Sequence, residues 1–142
     1  MGQTAAHIPA GYHAVTPYLI VTDIEGLIDF LKETFDAEEG MRTPSPEGRI
    51  RHAEMRIGDS LVMMGAASDD GTALRAALYV YVGDVDATYR RALGAGGVSL
   101  AAPDDKEYGD RTGGVRDPWG NCWWIGRPVS AGPSGHPSNP PT

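Results

Sequence analysis

The sequence predicts an α+β protein: two βαβββ modules forming curled mixed sheets with helices on the outer face. Three observations predict it. The chain repeats at a shift of 61 residues, which superposes Tyr18 on Tyr79, Leu19 on Val80, Val21 on Val82, Asp23 on Asp84 and Gly48 on Gly109. Each Asp closes an apolar strand and opens a helical pattern, the N-cap position where a carboxylate takes up orphan backbone N–H groups. Behind each helix come three short strand candidates broken by glycine-bearing turns.

Taken in order, residues 15–23 read as an apolar strand. The helix after it puts Ile24, Leu27, Ile28, Leu31 and Phe35 on one stripe. Strands at 39–43, 50–57 and 61–65 complete the first module, with Gly58-Asp59 as the hairpin turn. Residues 66–72 are a polar linker. The second module opens with a strand over 76–84. A weaker helical stripe follows, Val85, Tyr89, Ala92 and Leu93, ended by the glycines at 94–97. Its strands fall at 98–101, 111–116 and 121–126. The last two are joined by Asp117-Pro-Trp-Gly120, where Asp opens a turn, Pro sets φ and Gly closes it. Strand alternation sends Trp123 and Trp124 to opposite faces, one toward the core. The folded part is thus 14–126, as modules 14–65 and 76–126. It lies between an N-terminal arm, 1–13, and a Pro/Ser/Gly-rich tail, 127–142, whose composition predicts disorder.

Composition narrows the function. With 142 residues the chain can form one compact domain or two small intimate halves, and 41% apolar content is ordinary for a globular protein. No stretch approaches the roughly 20 apolar residues that span a bilayer, so no membrane partner is expected. The net charge of −7 argues against a sequence-independent nucleic-acid binder. It serves solubility or draws a cationic small ligand. The single cysteine, Cys122, excludes an intrachain disulfide framework. The first residues lack the cationic flank and apolar segment of a secretory leader. The expected location is the cytoplasm.

The paired modules, the Asp-capped helices and the strand–Arg-Asp-Pro-Trp-Gly-Asn–strand ending resemble the vicinal oxygen chelate superfamily. That group includes glyoxalases, extradiol dioxygenases, fosfomycin-modifying enzymes and bleomycin-resistance proteins. Residues 16–21, 51–60 and 108–111 are most similar to its PhnB-like branch. The resemblance covers 14–126. It implies that each module curls into half a cup, and that two halves, often from two subunits of a homodimer, enclose a cavity. Catalytic members hold a divalent metal at four places. Carried onto this chain, these are Thr16, Met63, Ala77 and Trp124, and none supplies imidazole or carboxylate. A slip of the register to Tyr18, Met64, Leu78 and Trp123 is no better. The expectation is therefore no metal and no other cofactor.

By the repeat register, Thr16, Tyr18, Ile20, Ala77, Tyr79, Tyr81 and Trp124 share the cavity face, joined by His52, Glu54, Met63 and Arg111. Aromatic walls with a few polar tips suit a planar ligand held by stacking. They equally suit a filled cavity or a dimer interface. The expected ligand-binding set is Tyr18, Ile20, His52, Glu54, Met63, Tyr79, Tyr81, Arg111 and Trp124, with Glu54 a partner for a cation. Cys122 reads as a packing residue. The function expected is metal-independent binding of a small aromatic ligand, with no catalytic residue. Such a protein would sequester an aromatic or cationic drug or natural product, as in antibiotic resistance or self-resistance. Two alternatives stand beside it. One is a glyoxalase- or dioxygenase-like enzyme using His52 and Glu54 as a base and its orienting partner. The other is a module whose aromatic face contacts protein.

Overall fold

A computed structural model describes residues 7–44, 46–68 and 73–129. Most of the expected tail (130–142), part of the arm (1–6) and linker residues 69–72 lie outside the described residues. The chain divides into two units, one ending at Leu74 and one beginning at Arg75.

The first unit runs β1 (Tyr18–Val21), α1 (Ile24–Phe35), β2 (Glu38–Pro44), β3 (Ile50–Ile57), β4 (Ser60–Ala66). Its sheet has the order β1-β4-β3-β2, with β1 parallel to β4 and the other pairs antiparallel. The second unit runs β5 (Ala77–Tyr81), α2 (Val85–Gly94), β6 (Val98–Asp105), β7 (Asp110–Arg116), β8 (Cys122–Pro128), in the matching order β5-β8-β7-β6. The expected βαβββ unit therefore occurs twice, as two open four-stranded mixed sheets. Asp23 and Asp84 cap the two helices by accepting from the N–H groups of Gly26 (2.9 Å) and Ala87 (3.1 Å). Gly48 and Gly109 both turn with positive φ, as repeat partners should. Among the described residues no helix is long and apolar enough to cross a membrane.

Each helix covers one face of its own sheet. Under α1 lie Leu19, Val21, Ala53, Met55, Val62 and Met64, all buried with Ile24, Leu27, Ile28 and Leu31. Phe30 and Thr34 are buried too, while Phe35 is only half-covered. The helix ends at Phe35, and Asp36 leaves it in the left-handed conformation (φ 56°). In α2 the buried residues are Val85, Thr88 and Ala92, whereas Leu93 is exposed and Tyr89 sends its hydroxyl to Ser99 (2.6 Å). The opposing sheet face already carries Val115, Trp123 and Ile125, all inaccessible. Such bulk favours a helix that presents small side chains. Strand β8 also runs to Pro128, because Arg111 and Asp110 on β7 offer partners to Arg127 and Pro128. Two residues of the expected tail thus belong to the sheet.

The β7–β8 turn is held by one buried carboxylate. Asp117 Oδ1 accepts from the backbone of Trp119 (2.9 Å) and Asn121 (3.0 Å). Its Oδ2 accepts from Asn121 Nδ2 (3.0 Å) and the Trp123 indole (2.9 Å). Asn121 then accepts the backbone N–H of Ala76 (3.0 Å), just before β5. Asp117→Ala orphans several buried donors and is expected to cost about 3 kcal/mol or more of stability in urea unfolding. Trp123→Ala is expected to cost roughly 3 to 5 kcal/mol in the same assay. Trp124→Ala should melt close to the parent. A stable Trp123→Ala beside an unfolded Trp124→Ala would reverse the two faces of β8.

Candidate functional site

The face of the first sheet opposite α1 gathers most of the expected residues. Met63 lies between Tyr18 on β1 and Glu54 on β3, its register partners on either side. Two positions along, His52 pairs with Gly65. Tyr18 lies across Gly65, where an added Cβ would overlap its hydroxyl. The glycine is what allows the ring to lie down on the strand. The Tyr18 and His52 rings are tilted at 55° with centroids 6.0 Å apart. His52 Nε2 sits 3.4 Å from Glu54 Oε2. Glu54 is only 7% exposed and also accepts the Tyr12 hydroxyl. That bond to Glu54 holds the Tyr12 hydroxyl above its ordinary pKa. Ile20, on the same face, is half-buried beside its bridge partner Leu74. Tyr12 fell in the expected arm and was missed. Nothing in its local sequence tells that it reaches a strand 42 positions away.

The second sheet repeats the device with different chemistry. Tyr79 lies across Gly126, and Trp124 lies flat on Gly114. A Cβ on either glycine would collide with the ring above it. Tyr79 and Tyr81 stand 5.2 Å apart at 54°. The Tyr79 hydroxyl donates to Asp110 Oδ2 (2.8 Å) and lies 2.7 Å from Thr112 Oγ1. Tyr108 donates to the same threonine (3.1 Å). Burial pushes the Tyr79 hydroxyl far above the ordinary tyrosine pKa, and the bond to Asp110 adds to the rise. Asp110 and Thr112 are buried, and neither was in the expected set. Both could have been found by alternation, since they share a face two apart on one strand.

The same alternation corrects Arg111. It stands between Asp110 and Thr112 and so points to the opposite, helix-covered face. There it makes a bidentate pair with Asp86 of α2 (2.8 and 3.0 Å) and a third bond to Asp105 (3.0 Å). Arg111 is a strut between sheet and helix and does not line the aromatic face. Cys122 is half-buried on that face, beside Ala77.

The donor set does not fit the metal of the catalytic relatives. Thr16 spends its hydroxyl on the carbonyl of His13 (3.3 Å), Met63 offers a thioether, Ala77 a methyl and Trp124 an indole. An open groove of about 1030 Å³ in the first unit, edged by Asp23, Glu47, Arg49 and Arg51, shares only Tyr18 with the expected set. Its polar rim does not suit a stacked aromatic, so the helix-free sheet faces are the better candidates.

Two βαβββ units with these faces define a glyoxalase-fold protein. Residues 11–125 match the Glyoxalase/Bleomycin resistance protein/Dioxygenase superfamily, and the chain belongs to it. An uncharacterized protein of Mycobacterium bovis is 39% identical over 127 residues, spanning 82% of this chain and 84% of that one. TioX from Micromonospora sp. ML1 is similar in structure, with a TM-score of 0.69 and 29% identity over 82% of this chain and 99% of TioX. The fosfomycin resistance protein FosX from Mesorhizobium loti shares the fold, with a TM-score of 0.62 and 18% identity over 82% and 92% of the two chains.

The raised Tyr79 pKa has a consequence for stability. Folding makes this hydroxyl hold a proton that the unfolded chain releases near the ordinary value of 10.0. Its contribution is fully present below that pH and declines as pH rises above it. Denaturant titrations on the alkaline side are expected to show this decline, and Tyr79→Phe to flatten it. Equal slopes for parent and variant would refute the burial of that hydroxyl.

Proposed function

We propose that this protein binds a planar aromatic small molecule without a metal and without chemical conversion, and so keeps a drug or natural product out of solution. The observation that carries the reading is the substitution of chemistry on the helix-free faces. Where catalytic relatives place metal ligands, this chain has Met63 and Trp124, flanked by the part-exposed rings of Tyr18, Tyr79 and Tyr81. Rings laid on glycine are presented by their faces, the geometry that stacks a planar guest. Bleomycin resistance proteins in the same superfamily and the fosfomycin resistance protein on the same fold support a resistance role. Tyr18, Tyr79 and Tyr81 are 54%, 41% and 58% exposed in the single chain. Pairing of two copies is the proposed way such apolar surface is covered.

The test is tryptophan quenching of dialysed, chelator-treated protein by a panel of planar antibiotics. At least one is expected to bind, and Trp124→Ala to weaken it by about 1 to 3 kcal/mol. Failure of every planar compound, or one retained equivalent of divalent metal on elemental analysis, would overturn the reading. Light scattering is expected to give about twice the chain mass of 15.1 kDa. A stable monomer at micromolar concentration would refute the pairing.

A second reading has its own observation. Glu54 is buried with His52 and Tyr12 against it, an arrangement that can hold and pass a proton. If this site turns over a substrate, Glu54→Gln abolishes conversion while leaving quenching by the same compound intact.

A further inference from the structure

In the second unit, a chain of hydroxyls from Tyr108, Thr112 and Tyr79 ends on one buried carboxyl, with the Tyr81 ring beside Tyr79. Tyr108 donates to Thr112 (3.1 Å), Thr112 sits 2.7 Å from Tyr79, and Tyr79 donates to Asp110 (2.8 Å). In one direction of this chain every hydroxyl donates once: Tyr108 to Thr112, Thr112 to Tyr79, Tyr79 to Asp110. Its acceptor end is a fully buried aspartate, and its outer wall is the part-exposed rings of Tyr79, Tyr81 and Tyr108. Tyr79 and Tyr81 meet at 54° with centroids 5.2 Å apart, so they form a corner and not a stack. A phenol that donates its proton to a carboxylate carries a more electron-rich ring, and the face of such a ring attracts cations. The neighbouring cation does not fill this role. Arg111 points to the other face and is held by Asp86 and Asp105.

We propose that Tyr79, Tyr81 and Tyr108, backed by Asp110, form a subsite for the ammonium group of an aromatic ligand. The proposal rests on the ligand-binding role of this face and assigns the charge of the guest. A quaternary or alkylated ammonium fits better than a strongly hydrated ion. It gives up little hydration and gains contact with two ring faces at once. An anion would face both the buried carboxylate and the negative ring faces. The net charge of −7 acts in the same direction at longer range.

The experiment compares two probes of equal shape, phenyltrimethylammonium and tert-butylbenzene, titrated into the full chain and followed by tyrosine-ring NMR shifts. The cation is expected to bind about tenfold more tightly than its neutral isostere. Tyr81→Leu, at an exposed position, should bring the cation down to the affinity of its isostere, so that the tenfold preference disappears. Asp110→Asn keeps the acceptor for Tyr79 and should do the same. Should Asp110→Asn fail to fold, Tyr81→Leu alone decides. Equal affinity of the two probes for the parent overturns the ammonium subsite while leaving an aromatic-binding face in place. Absence of shifts with either probe overturns both. Loss of affinity for both probes alike in Tyr81→Leu makes Tyr81 a packing wall and overturns the assignment of charge.

Discussion

The constraint on which each unit depends is the parallel pairing of its first strand with its last. Parallel neighbours cannot be joined by a tight turn, so the chain must leave the sheet, form a helix and return through an antiparallel meander. That route covers one face with the helix and leaves the other face bare. It also brings a residue of the first strand beside the last strand at a fixed register, Tyr18 with Met63 and Tyr79 with Trp124. In the second unit the pairing is secured by Asp117 and Asn121. The aspartate folds the β7–β8 turn and the asparagine takes up the backbone at Ala76, so the turn is tied to the start of β5. The Trp123 indole is bound to the same carboxylate, which ties the largest buried side chain to the turn that places it.

Glycine then decides what the bare face displays. Gly65 and Gly126 occupy matching places on β4 and β8, and each receives the tyrosine of the neighbouring strand. A side chain at either position would push the ring upright and replace a flat aromatic surface with a ridge. Gly114 does the same for Trp124. These glycines have no need of unusual φ angles. Their function is to leave room above the strand.

Much of this was legible in the sequence, for local reasons. Asp23 and Asp84 were readable as caps because a cap needs only the next three residues. Trp123 and Trp124 were readable as inward and outward because alternation is a property of one strand. The repeat supplied the helix-free face of each sheet, with Tyr18 on the first and Tyr79 and Tyr81 on the second. What was not legible depended on contacts between elements. Arg111 was grouped with the aromatic face, yet its partner is Asp86, 25 positions away on a helix. The grip of Tyr12 on Glu54 joins an irregular segment to a strand, and no periodicity announces it. Thr34 and Thr88 look polar in a helical wheel but are buried. A helix lying flat on a sheet covers a wider arc than its apolar stripe.

The two units have diverged within one register, and the divergence follows from volume. Glu54 pairs with Met63, and Gly114 pairs with Trp124, so residues 54 and 114 hold corresponding places on β3 and β7. The flexible methionine leaves space for Glu54 and, beside it, for His52. The indole takes that space for itself, and a Cβ at 114 would already collide with it. A tryptophan on the last strand and a long polar side chain on the strand beside it are therefore alternatives on this scaffold. The first unit kept the polar choice, a carboxylate with a histidine and a tyrosine against it. The second took the aromatic choice and moved its polar groups two positions along, to Thr112 and Asp110, where Tyr79 reaches them across Gly126. One large side chain on the last strand thus separates a face that carries a carboxylate at this place from one that carries an indole, within the same strand order.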